Sequence, residues 1–176
     1  KDIWKTIIYL LLSDLIRKKE NNLISKFLKF KAINFAIDDF YENAFAPEIL
    51  TSIRFVENTK LSAELIAKFA VSSSSVGNTD NFQTEFSENK YQINLLYIQS
   101  EFEEALSSLK LESNYVLFID GIDIRPSTID YEDYLACLRG LANAVWEVNN
   151  DFLSNIKDSR GRMRVILSVR PDIFDT

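Results

Sequence analysis

The feature that most constrains the fold is an apolar run that ends in an acid, residues 115–120 with the sequence YVLFID. An uninterrupted apolar run of this length is typical of a strand buried on both faces, as in the parallel sheet of an α/β protein. A strand followed by Asp120 has a carboxylate at its carboxyl end, which is the edge where open α/β folds bind ligands. The run therefore predicts a buried parallel strand with a functional acid at its end.

A second run of the same kind lies near the end of the chain, at residues 164–169. Between the two runs, residues 130–157 carry apolar side chains at helical spacing: Tyr131, Tyr134, Leu135, Leu138, Leu141, Val145, Val148 and Phe152. A strand, a crossover helix and a second strand predict a right-handed βαβ unit. If the two strands pair in parallel, Asp120 emerges at the same sheet edge as Ser168 and Arg170.

The first part of the chain has the spacing of helices. Residues 3–19 form an amphipathic pattern that ends in three cationic residues, which complement a helix dipole. Residues 23–45 repeat the helical pattern, and Pro47 suits the first turn of a third helix. Helical pieces are expected as far as Phe69, and residues 91–110 again show a helical period.

One stretch predicts a break in the chain, the serine-rich residues 71–79 with the sequence VSSSSVGNT. We therefore expect a helical region over residues 1–71, a loop or linker over residues 72–90 and a strand-containing part over residues 91–176. The expected fold class is α/β and predominantly helical, with the βαβ unit at residues 115–170.

Composition excludes several classes of function. The chain has no histidine, which excludes His-based catalysis and His-ligated metals. Its single cysteine excludes an internal disulfide framework, as is usual in a reducing cytosol, so a cytoplasmic protein is expected. The apolar run at residues 7–12 is about a third of a bilayer span, so no membrane partner is expected.

Charge is distributed unevenly around the net value of −6. Residues 1–31 carry eight Lys or Arg and three acids, a net charge of +5, whereas the remainder carries twelve and twenty-three, a net charge of −11. A basic segment of this kind suits contact with nucleic acid. We favour the simpler interpretation, a solvated helix face with amphipathic lysines.

The two strand ends, with the helix between them, resemble part of the P-loop ATPases of the STAND and KAP kind. Those proteins have a Walker B strand followed by an Asp-x-x-Asp-like cluster, then a helix, then a strand that ends in Ser or Thr and Arg. The resemblance covers about residues 91–175. It implies a P-loop NTPase-like parallel sheet and, as cofactors of the complete ATPase, ATP and Mg²⁺.

The resemblance also implies roles for four residues. Asp120 would bind Mg²⁺ through water, and Asp123 would help to orient the attacking water. Ser168 and Arg170 would sense the γ-phosphate. These roles are physically coherent, because phosphoryl transfer depends on charge neutralisation and positioning more than on covalent chemistry.

The sequence departs from this family at three points. Gly121 stands where many such ATPases carry Glu, and Ile124 stands where an acid is often repeated, which implies slow hydrolysis or a nucleotide-dependent switch. No G-x-x-x-x-G-K-[ST] loop occurs among the four glycines. We therefore expect this loop to precede residue 1, the chain to be a fragment that is inactive alone, and its partner to be the remainder of the ATPase domain.

Two other catalytic interpretations fit part of the same sequence. Residues 120–123 look like the start of the D-G-x-D-x-D-x-E strand of chitinase-type glycoside hydrolases, but Arg125 and Ser127 replace the third Asp and the catalytic Glu. A metal-dependent nuclease would instead use four acids as Mg²⁺ ligands: Asp120, Asp123, Asp130 and Glu132. These acids more simply end a strand and cap a helix.

The main alternative involves no nucleotide chemistry. The chain contains 13 Phe and 7 Tyr, many of them in the helical patterns of the first part. Aromatic helices of this kind suit a protein–protein interaction module that binds an effector protein.

Overall fold

The computed structural model describes residues 2–19, 30–43, 81–122 and 129–170, together with residues 125 and 127. In these ranges the chain is mostly helical and has a small two-stranded parallel sheet. The predicted fold class is confirmed at this level.

The elements follow one another as helix, helix, helix, strand, helix and strand. In chain order they are α1 (Asp2–Lys19), α2 (Lys31–Asn43), α3 (Asn81–Ser108), β1 (Tyr115–Ile119), α4 (Tyr131–Glu147), a π-helical turn (Val148–Phe152), a 3-10 turn (Leu153–Asn155) and β2 (Met163–Leu167).

The helix boundaries agree with the predicted pattern at α1 and differ at α3. Helix α1 ends at Lys19, as predicted. Helix α3 begins at Asn81, so residues 81–90 are helical although they were predicted as part of a loop. The physical reason is that the serine run ends at Ser75 and the last glycine before this segment is Gly77, so residues 81–90 have no Gly or Pro to break a helix. The predictions for residues 44–80, including the third helix and the serine-rich loop, lie outside the described residues.

Helix α1 is the centre of the hydrophobic core. Residues 6–10 are each at most 1% exposed, so this turn is buried on every side. The helix contacts α2, α3, α4 and β1. The hydroxyl of Tyr9 donates to Glu103 of α3 at 2.7 Å, and Lys5 forms an ion pair with Glu147 of α4 at 2.5 Å. Helix α1 therefore joins the other helices to the βαβ unit.

The sheet has the predicted topology. Strands β1 and β2 are parallel neighbours, with Tyr115 opposite Met163 and Ile119 opposite Leu167. Helix α4 packs against β2, as expected for the crossover. Helix α1 packs against β1, which the sequence did not predict.

The prediction that the first strand is buried on both faces is wrong. Tyr115 and Ile119 are buried on one face of the sheet, but Val116 is 41% exposed and Phe118 is 68% exposed on the other. Ile166, the partner of Phe118 in β2, is also exposed. The cause is that the core of α1 and α4 lies on one side of the sheet, and within the described ranges the opposite side carries no layer.

Hydrogen bonds join the segment before β1 to the segment before β2. The hydroxyl of Ser159 accepts from the N–H of Leu111 at 2.7 Å and lies 3.1 Å from its carbonyl oxygen. Gly161 donates its N–H to the same carbonyl at 2.7 Å. A Cβ at Gly161 would lie 1.9 Å from the carbonyl oxygen of Ser113, so the close approach requires glycine. These contacts set the register with which the strands begin.

Candidate functional site

The candidate site lies where the two parallel strands end. The N–H of Ser168 donates to the carbonyl oxygen of Ile119 at 2.9 Å, which continues the ladder one residue past β2. Asp120 directly follows Ile119, so Asp120 and Ser168 lie side by side at the carboxyl edge. Both are exposed, and so is Arg170 two residues further on. Three of the four candidate residues therefore follow the same edge of the sheet.

Asp120 is accompanied by a glycine in an unusual conformation. Gly121 has a φ of +75°, and its N–H donates to Oδ1 of Asp120 at 2.9 Å. This left-handed backbone region disfavours residues with a Cβ. Gly121 thus turns the chain away from the strand in a conformation that favours glycine.

The segment after Gly121 is anchored to the start of α4. Ile122 is fully buried, and its carbonyl oxygen accepts a hydrogen bond from the hydroxyl of Tyr134. Asp130 caps α4, because its Oδ1 accepts from the N–H of Glu132 at 2.9 Å. Asp123, predicted to orient the attacking water, lies outside the described residues.

The acids of the nuclease interpretation have no shared arrangement in the described part of the chain. Asp130 is occupied as a helix cap, and Glu132 is exposed in the first turn of α4. Within those residues no group of three or more Asp, Glu, Cys or His is arranged to hold a metal ion. The simpler reading of Asp130 as a helix cap is confirmed.

Arg125 is a cation beside the start of α4 for which the sequence predicts no role. Its guanidinium donates to the carbonyl oxygen of Ile129 at 2.6 Å and lies 5.9 Å from the ring centroid of Tyr131. A hydrogen bond and a cation–π contact hold the side chain in one place while it stays exposed. No sequence motif signals this position, since both contacts depend on the folded loop.

The residues at the edge fit a hydrated Mg²⁺. Mg²⁺ in nucleotide sites is usually held by one or two carboxylates, by phosphate oxygens and by several waters. Asp120 supplies a carboxylate at the end of β1, and Ser168 supplies a hydroxyl at the end of β2. The oxygen donors of these two side chains are of the type that Mg²⁺ prefers.

A separate surface feature lies on the helices. Four large apolar side chains on the described helices are more than half exposed: Phe35 on α2, Leu96 and Tyr97 on α3, and Trp146 on α4. The charge of Glu101, and less strongly that of Asp39 on α2, raises the pKa of Tyr97.

Two of the basic side chains near the start of the chain form ion pairs. Lys5 is paired with Glu147, and Arg17 with Asp14 at 2.5 Å, whereas Lys18 and Lys19 are exposed. None of the helices in the described ranges combines the length and apolar character that crossing a bilayer requires.

Comparisons with family models, with curated proteins and with solved structures found no match to this chain. The chemistry of the site therefore rests on the geometry of its own residues.

Proposed function

We propose that the chain is the Walker B and sensor-strand part of a P-loop ATPase that acts as a nucleotide-dependent regulatory switch or motor. The observation that carries this proposal is the position of Asp120 beside Ser168 at the carboxyl edge of two parallel strands. Ligands of open α/β sheets bind at this edge. A carboxylate, a hydroxyl and a nearby Arg are the groups that a nucleotide site needs there.

The proposed roles follow from the chemistry of each side chain and from its position at the carboxyl ends of the strands. Asp120 holds Mg²⁺ through water, and the ion when bound neutralises phosphate charge. Ser168 offers a hydroxyl to a phosphate oxygen. Arg170 provides the donors that distinguish a γ-phosphate from its absence, since a guanidinium matches phosphate geometry.

The turn at Gly121 favours a switch over a fast engine. Its φ of +75° disfavours the Glu that many such ATPases carry after the Walker B Asp, because residues with a Cβ rarely adopt this backbone conformation. Asp123 is the next acid along the chain and is the proposed group that orients the attacking water. With one such acid, ATP turnover is slow and the bound state is long-lived.

The chain alone neither binds ATP tightly nor hydrolyses it in this proposal, because no glycine-rich Lys-Ser/Thr loop is present to hold the phosphates. The partner that completes the site is the remainder of the ATPase domain. The single cysteine favours a cytoplasmic setting. Calorimetric titration of the 176-residue chain with Mg-ATP should show no micromolar binding.

The test is ATP turnover and ATP-dependent assembly of the natural polypeptide that contains these residues. Asp120→Asn should lower turnover about 10²–10³-fold, because it removes an oriented charge from the transition state. Arg170→Ala should spare ADP binding and abolish the ATP-dependent change in assembly. Matched controls are Asp158→Asn and Arg160→Ala, two exposed residues that precede β2. Turnover and assembly that survive both site substitutions would contradict the proposal.

A helical interaction module without nucleotide chemistry is the second candidate. The exposed Phe35, Leu96 and Tyr97 favour it, since large apolar side chains on neighbouring helices mark protein contacts. In that case Leu96→Ser would weaken binding of the effector protein. Asp120→Asn would leave the same binding unchanged, which separates the two functions.

A further inference from the structure

The backbone groups of β2 divide between its two sides. In a parallel pair, alternate residues direct their N–H and C=O groups to the neighbouring strand. The carbonyl oxygen of Arg162 accepts from Tyr115 at 2.8 Å, and the N–H of Ser168 donates to Ile119 at 2.9 Å, so the even-numbered residues face β1. The outer edge of β2 therefore consists of the backbone groups of three residues: Met163, Val165 and Leu167.

The central residue of this outer edge is already paired with a side chain. The N–H of Val165 donates to Oδ1 of Asn149 at 3.0 Å, and Nδ2 of Asn149 donates to the carbonyl oxygen of Val165 at 2.8 Å. One residue of an antiparallel strand makes this pair of bonds with its partner. The amide of Asn149 thus takes the place of a strand at Val165.

A departure from regular helix brings Asn149 to this position. Asn149 lies in the π-helical turn Val148–Phe152, which follows α4 without a break. A π turn holds one residue more than an α turn, and such turns are rare and are often found at functional positions. Val148 and Leu153 stay buried at its two ends while Asn149 reaches the strand. Within and after the turn, three side chains bond to carbonyl groups four residues earlier: Asn150, Ser154 and Asn155.

We propose that Asn149 closes the outer edge of β2 against the addition of a strand from another copy of the chain. An open strand edge is a template for pairing between molecules, and proteins protect such edges by covering them. Because Val165 is the middle of three outward residues in a five-residue strand, its occupation interrupts any ladder along this edge. Asn149 is a positioning residue for the assembly state and has no part in the nucleotide chemistry.

The test measures amide hydrogen exchange and sedimentation velocity on the 176-residue chain without nucleotide. Asn149→Ala should speed exchange of the Val165 amide about fivefold to tenfold, the effect of losing one hydrogen bond. It should also produce dimers and larger species whose fraction rises with protein concentration. Asn150→Ala is the matched control, because Asn150 bonds only to a carbonyl of its own helix and should leave exchange and mass unchanged.

A second variant, Asn149→Leu, tests the same proposal if the Asn149→Ala variant does not fold. Asn149→Leu has nearly the same shape as the native side chain but offers no donor or acceptor, so it should expose the same edge groups and increase self-association. A Val165 amide that exchanges at the wild-type rate in the folded variant would overturn the proposal. A variant that remains as monomeric as the Asn150→Ala control would overturn it as well.

Discussion

The N–H of Ser168 donates to the carbonyl oxygen of Ile119 at 2.9 Å, and this backbone bond is what aligns the ends of the two strands. Because the bond involves no side chain, the alignment of the strand ends does not depend on the side chain of Ser168, and the carboxylate of Asp120 accepts from the N–H of Gly121 in the turn that follows. The candidate site can therefore be altered without unfolding its scaffold. At the start of the strands, in contrast, the contact between the two turns is made by a side chain, the buried hydroxyl of Ser159.

Two serine substitutions test this difference. Ser168→Ala should change the free energy of unfolding by no more than about 0.5 kcal/mol, as for an exposed residue outside the packing. Ser159→Ala should cost about 1–3 kcal/mol, since Ser159 is 6% exposed and its removal leaves the N–H of Leu111 without this partner. Urea denaturation of the two variants measures both values. Equal costs would show that the carboxyl edge depends on the Ser168 side chain.

Two glycines make a second matched pair. A Cβ at Gly140 in α4 would lie 3.5 Å from Trp4, an ordinary contact, so Gly140→Ala should stabilise the chain by up to about 1 kcal/mol through helix propensity. Gly161→Ala should instead cost about 3 kcal/mol, since its Cβ would collide with the backbone of Ser113. Thermal unfolding of both variants should show shifts of opposite sign.

The βαβ unit could be predicted because its signals are local. Two apolar runs flank a segment of helical period, and chain geometry leaves few ways to connect them. Coverage of the sheet is not a local property. Val116 and Phe118 are residue types that occur both on buried and on exposed sheet faces, so the sequence alone does not show whether another element packs on them. The prediction of burial on both faces was therefore wrong.

The site was partly predictable for the same reason. Asp120 and Ser168 end apolar runs, and parallel pairing brings the two ends together. The contacts of Arg125 and Asn149 could not be predicted, because Arg125 depends on a folded loop and Asn149 on a strand 16 residues away. Glycine is likewise required at position 161 because the backbone of Ser113 lies close to it, and no sequence pattern indicates that contact.

The backbone conformation of Gly121 can be tested by substitution. Gly121→Glu, which introduces the acid found at this position in many P-loop ATPases, should destabilise the chain by about 1–2 kcal/mol, because φ is +75° there. Nothing lies within 4 Å of the added Cβ, so the cost comes from the backbone and not from a clash. Gly121→Asn should cost less, since Asn tolerates this region better. Equal stability of the Glu variant and the wild type in urea would show that the turn relaxes freely.

The last prediction concerns alkaline pH. Burial raises the pKa of Cys137 to about 11, against an ordinary value of 9.0, while a hydrogen bond involving Trp4 acts in the opposite direction. The folded state therefore keeps the thiol proton over a range in which the unfolded state loses it. The resulting stability is fully present below about pH 9 and is lost as the pH rises through 11. Burial also raises the pKa of Tyr9, and the charge of Glu101 raises that of Tyr97, so other groups in the wild type act in the same direction as the thiol. The Cys137→Ala variant should keep the Tyr9 contribution and lose the thiol contribution. Melting temperatures between pH 8.5 and pH 11 should therefore fall more steeply for the wild type than for the variant, and parallel curves would show that the thiol ionises equally easily in both states.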